Sequence, residues 1–123
     1  MPINWELFRL AADHIEKDFE SFDMRTFGYN THCGTIACFA GHVVWANDPD
    51  EFLRLVQNED GNGIEAKAKK LLRTTNPDLF YGGDLLFDQI RANKAKVPAA
   101  LRWMADNRST NWRAAAVSVG FEL

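Results

Sequence analysis

With 123 residues the chain has room for one domain, whose core removes from water roughly two thirds of the surface that the unfolded chain exposes. Hydrophobic residues make up 46% and charged residues 25%, with nine Phe and four Trp, a composition that excludes an intrinsically disordered chain. A net charge of −3 provides no bulk attraction for nucleic acid or an anionic membrane, so a protein partner or a small ligand is favoured.

From the N-terminus, Asn4 can cap a helix in which Trp5, Phe8, Ala12, Ile15, Phe19 and Phe22 recur at three- and four-residue steps. Glu6, Arg9, Asp13, Glu16 and Lys17 fall mostly opposite, which makes this the clearest amphipathic segment. Residues 23–34 contain Gly28, Asn30 and Gly34 without a sustained period and read as a connecting loop. From Thr35 to Ala46 the chain is apolar on every side, which predicts a short helix buried at the centre of a bundle. Asp48-Pro49 then ends that helix and starts the next, with Phe52, Leu55 and Val56 as its inner stripe. The turn at residues 58–63 leads to a helix with Ile64, Ala68, Leu71 and Leu72 inward and Lys67, Lys69 and Lys70 outward. Asn76-Pro77 and Gly82-Gly83-Asp84 bracket a short turn around Leu79-Phe80 and open a helix carrying Leu86, Phe87 and Ile90. Pro98 to Asn107 reads as a helix with Leu101 and Met104 inward, and Trp112 to Val119 reads as a further helix, of which Ala114 to Val119 fits a strand equally. No strand pair stands out and no repeat occurs. The expectation is an all-α, single compact multi-helix domain around a buried central helix at about residues 35–46.

No apolar run approaches the ~20 residues of a membrane span, and the start Met1-Pro2-Ile3-Asn4-Trp5-Glu6 has no basic residue leading an apolar run. A cytoplasmic location is expected on this reading. Thiols there stay reduced, so Cys33 and Cys38 are expected as free thiols or metal ligands rather than a disulfide.

Both cysteines and two of the three histidines fall in the eleven residues from His32 to His42. With a helix starting at Thr35, Cys38 and His42 stand four residues apart on one face, and Cys33 and His32 just ahead of it complete a four-ligand zinc set. The spacing departs from common zinc modules, which draw their second ligand pair from a distant segment. Alternatively, Cys33 at the helix N-terminus is a nucleophile whose thiolate the helix dipole stabilises, with His14 as a base from another element. Cys33-Gly34 with Cys38 has a slight likeness to the papain-type nucleophile region, but here no histidine follows His42 and no orienting Asn or Asp can be assigned. Gly34 and Thr35 also offer a short anion site at the helix start, although Thr35 serves equally as a cap. The reading that needs least is structural. Ala37, Ala40, Gly41 and Val44 form a small-residue face for a neighbouring helix, while Cys38, His42 and Trp45 fill the other side.

The run Cys33-Gly34-Thr35-Ile36-Ala37-Cys38-Phe39-Ala40-Gly41-His42 resembles a pattern Cys-Gly-Thr-x-Ala-Cys-x-Ala-Gly-His in short uncharacterised proteins of bacteria, notably actinobacteria, and of their phages. That resemblance implies a bacterial or phage origin and no mechanism.

Two further motifs fail. Aligning Gly63 with the sharp-turn glycine of an EF-hand loop puts Asn58 first and Lys69 twelfth, where calcium requires a bidentate Glu. The basic residues from Lys67 to Arg113 invite a nucleic-acid reading, but Asp78, Asp84, Asp88 and Asp106 interrupt them as on a solvated helix face. The sequence thus favours a protein-binding module, with Trp103, Trp112, Phe121 and Tyr81 as candidate anchors. Antagonism of a host protein is one form of that role, implied by the resemblance alone. The competing class is a zinc or thiol site at Cys33, Cys38 and His42 supporting a small enzyme, and nucleic-acid binding is the weaker alternative.

Overall fold

The computed structural model describes residues 2–24, 26, 28–31, 34–74 and 76–123. The N-terminal amphipathic pattern forms α1, Trp5–Glu16, which buries Leu7, Phe8, Ala11, Ala12 and Ile15. It stops earlier than the apolar period, which runs on to Phe22. Asp18 takes an extended conformation, its side chain accepts from the Glu20 N–H at 3.1 Å, and its carbonyl accepts from Ser21 Oγ at 2.6 Å. Such local bonds compete with the helical ladder, so Phe19–Ser21 forms a 3₁₀ turn instead.

The predicted loop and the predicted start of the central helix are both corrected. Tyr29–Thr31 forms β1 and Gly34–Ile36 forms β2, an antiparallel pair in which Tyr29 faces Ile36 and Thr31 faces Gly34. The chain stays extended beyond β2, because the Ala37 N–H donates to the Ser21 carbonyl at 2.8 Å and the Ala37 carbonyl accepts from the Asp23 N–H at 3.0 Å. A carbonyl so engaged is not free to accept the helical bond from Gly41. The β-branched pair Thr35-Ile36 suits the strand, a preference that the all-round apolar character masked.

The central helix α2 therefore spans Phe39–Asn47, with Cys38 as its N-cap residue. Phe39, Ala40, Gly41, His42, Val43 and Val44 are all buried, as expected of a helix apolar all round. It packs on α1, on α3 (Pro49–Gln57) and on α4 (Gly61–Leu72). Asp48 caps α3 through the Glu51 N–H at 3.2 Å, and Asp60 caps α4 through the Gly63 N–H at 2.8 Å. The Asp60–Gly63 stretch is thus a helix start rather than a calcium loop.

The second half contributes α5 (Pro77–Tyr81), α6 (Phe87–Ala92), α7 (Val97–Asn107) and α8 (Trp112–Val119). The ambiguous last segment is helical, because Asn111 caps it through the Ala114 N–H at 3.0 Å and Gly120, at φ 86°, closes it. α7 lies along α1, where the Arg102 guanidinium bridges Asp13 at 2.7 Å and Glu16 at 2.9 Å. α4 and α7 each end on an arginine in the left-handed region, Arg73 at φ 59° and Arg108 at φ 50°, at a backbone cost of about 1 kcal/mol each relative to glycine. The fold is all-α, with one short hairpin among the described residues, which packs against the 3₁₀ turn and α3. No helix among the described residues is long and apolar enough to cross a membrane.

Candidate functional site

His14, in the last turn of α1, and His42, in the first half of α2, meet where the two helices pack. Their Nδ1 atoms are 2.9 Å apart. His42 Nε2 lies 2.9 Å from the Ser21 carbonyl oxygen and 3.4 Å from Ser21 Oγ. A carbonyl can only accept, so His42 carries its proton on Nε2 and presents a bare Nδ1, to which His14 donates its Nδ1–H. The result is a directed chain from the His14 Nδ1–H through the His42 ring to the Ser21 carbonyl.

Aromatic rings enclose this chain. Trp45 stacks on His42 at 5.2 Å between centroids, meets His14 edge-on at 4.6 Å, and stacks on Phe52 at 4.9 Å. Phe22 stands 6.0 Å from His42 on the far side. Burial is the main cause that pushes the His42 imidazole down to about 3, opposed by the Ser21 carbonyl and aided by the neighbouring His14. His14 is half-buried and also held below the ordinary histidine range, first by desolvation and then by Lys17. Both rings are therefore neutral at pH 7, and the pair acts as a hydrogen-bonded link between α1, α2 and the 3₁₀ turn.

Cys38 does not join this pair. As the cap residue it precedes the first helical turn, so the four-residue spacing to His42 no longer puts both on one face. The groups that influence its thiol electrostatically include Glu65 and Tyr81, on α4 and α5, whereas His42 turns to α1. Burial pushes the thiol up to about 12, outweighing the favourable N–H groups of Gly41 and Ala40. Cys38 is a free, buried thiol that keeps its proton. Among the described residues no group of three or more His, Cys, Asp and Glu converges as metal ligands. His32 and Cys33 lie outside the described residues. Thr35 sits in β2 opposite Asn30, so the proposed anion and cap role at a helix start is corrected: the helix begins four residues later.

The candidate anchors divide. Trp112 is buried, its Nε1–H donating to the Leu79 carbonyl at 2.8 Å, and Phe121 is buried as well, so both belong to the core rather than to a docking surface. Trp103 is partly buried against that core. Tyr81 stands at the surface, its hydroxyl donating to Glu65 at 3.2 Å.

The sequence reading missed the most exposed apolar residues. It placed Leu86 and Phe87 in a helix with Ile90, whereas Leu85 takes the core position and Leu86 is 68% exposed. Phe87, Val117 and Leu123 are exposed too. Arg113 Nε meets Asp84 at 2.8 Å, and the Glu122 N–H donates to Asn93 Oδ1 at 2.8 Å. These two contacts tie the start of α8 and the residues after it to the residues that flank α6. Helical periodicity favours Leu86, four residues before Ile90, but α6 starts only at Phe87 and Leu86 is its extended N-cap residue, so the helical spacing does not apply to it. Much of the basic character is paired: Lys69 with Glu65, Arg91 with Asp88, Lys94 with Glu20, Arg102 with Asp13 and Glu16, and Arg113 with Asp84. Comparison of the chain with protein-family models, with curated proteins and with solved structures returns no match.

Proposed function

We propose that this protein is a binding module that docks a partner protein through the surface formed by α6, α8 and the C-terminal residues. The observation that carries the reading is the exposure of Leu86 at 68% and Val117 at 65%, with Phe87 and Leu123 also exposed, on segments that the Arg113–Asp84 and Glu122–Asn93 contacts tie together. Full burial of such a side chain is worth about 1.5–3 kcal/mol, of which each of these leaves a part unused, and apolar exposure on linked segments is typical of contact surfaces. Asp84 and Asp88, paired with Arg113 and Arg91, supply the polar rim that protein interfaces carry around an apolar centre. The likeness of residues 33–42 to short bacterial and phage proteins supports a setting in the bacterial cytoplasm, with antagonism of a host protein as one form of the docking.

A photo-crosslinking residue introduced at position 86 or 117 in bacterial cells tests the proposal. One discrete adduct with an identified protein is expected, and that protein, purified, should bind Leu86→Asp at least about tenfold more weakly than the wild type. A crosslink to a second copy of this chain, or adducts as diffuse as those from a probe at Leu53 on α3, would refute the assignment.

A further inference from the structure

Three helix ends meet on a different face, and the geometry points to a binding site there for a small phosphate monoester bearing an apolar or aromatic group. A cavity of about 380 Å³ opens between the start of α1 and the ends of α4 and α7, with Arg9, Arg73 and Arg108 on its walls beside Trp5 and Ile3. That volume lies in the range of small-ligand sites. Arg9 is already engaged by Glu6, which also lines the cavity, and by Asp106 at 2.8 Å. The guanidinium groups of Arg73 and Arg108 have no ion-pair or hydrogen-bond partner among the described residues, so two positive charges from separate helices are uncompensated. A second cavity of about 520 Å³ shares Ile3 and Arg73 and adds Lys70 to the same positive field.

The ligand class follows from the donors. A carboxylate is satisfied by one guanidinium fork, whereas a tetrahedral dianion accepts from several directions at once, as arginines on different elements require. Asn4 makes no side-chain cap on α1, so the positive end of that helix adds to the field without providing the site by itself. Trp5, tilted on Phe8 at 4.9 Å and only partly buried, gives the cavity an aromatic wall against which a ring can rest. Arg73 and Arg108 both stand where a helix most readily accepts glycine, so their presence is explained by the guanidinium rather than by the backbone.

Phenyl phosphate is the probe, titrated into the full chain at about 0.15 M salt with calorimetry and with amide and indole NMR. Binding at about millimolar affinity or better is expected, with shifts confined to Trp5, Arg73, Arg108 and their neighbours, and benzoate at least about tenfold weaker. Arg73→Gly with Arg108→Gly relieves both left-handed positions, so this variant should melt no lower than the wild type while binding phenyl phosphate at least about tenfold more weakly. Arg73→Lys with Arg108→Lys, which keeps the charge and loses the fork, should fall between the two. Equal affinity in the wild type and the glycine variant, benzoate binding as tight as phenyl phosphate, or shifts spread away from Trp5 would each overturn the proposal.

Discussion

Lowering the pH should unfold this protein through His42. Its imidazole falls from an ordinary value of 6.5 to about 3 because it is buried between Phe22 and Trp45. In the unfolded chain His42 takes up a proton near pH 6.5, whereas in the folded chain it does not, so the unfolded state binds more protons throughout the window from about 6.5 down to 3. Stability is therefore full above pH 6.5 and declines as the pH falls. Between those two values the loss at about pH 5 relative to pH 8 is roughly 2 kcal/mol, or a fall of about 1 M in the urea midpoint. His14 adds in the same direction, since its value is also lowered. Protonation on the outer nitrogen of His14 preserves its Nδ1–H donation, but a proton on His42 Nδ1 sets two donors against each other. The arginine-held carboxylates Glu16 and Glu51 lose their contribution only below their ordinary value of 4.5, so the interval from pH 7 to 5 isolates the histidines. Urea melts at pH 8, 7, 6 and 5 measure the slope, and His42→Phe should flatten most of it while costing about 1–3 kcal/mol at pH 8, because His14 and the Ser21 carbonyl lose their partner. A wild-type stability that does not change between pH 8 and 5, or a slope that survives in His42→Phe, would refute the reasoning.

Cys38 should resist iodoacetamide in the native protein and react only on unfolding, and mass-spectrometric counting of adducts by position reads this directly, since a thiol pushed up to about 12 has almost no thiolate at neutral pH. Trp112→Phe should cost about 2–3 kcal/mol in denaturant melts, from lost ring volume and from leaving the Leu79 carbonyl without its indole donor; a loss below about 0.5 kcal/mol would show that the bond carries no weight. Removing metal with EDTA is expected to leave the melting temperature within about 1 °C, because both ring nitrogens of His42 are hydrogen-bonded and Cys38 keeps its proton. A larger fall, with stoichiometric zinc in the untreated protein, would revive the ligand set built on Cys33 and His32.

What the sequence determined by itself is local. Asp48-Pro49 and the amphipathic period from Trp5 to Ile15 each act within a few turns and each produced the helix that it predicts, while the all-round apolar run ending at Ala46 produced a buried helix that starts later than its pattern. Tertiary structure decided where those helices end. The period running on to Phe22 continues past Glu16, but Asp18 and Ser21 bond locally and the Ser21 carbonyl is then drawn to Ala37 and His42. Those contacts keep residues 34–38 extended, move Cys38 from the helix face to its cap, and part it from His42. The pairing of His14 with His42 spans 28 residues, and no local pattern encodes it, because it depends on how α1 docks against α2. The same holds for the surface: Trp112 buried and Leu86 exposed reverse what size and hydrophobicity alone imply, since which side of a short helix faces the core is set by the neighbours that it meets rather than by its own sequence.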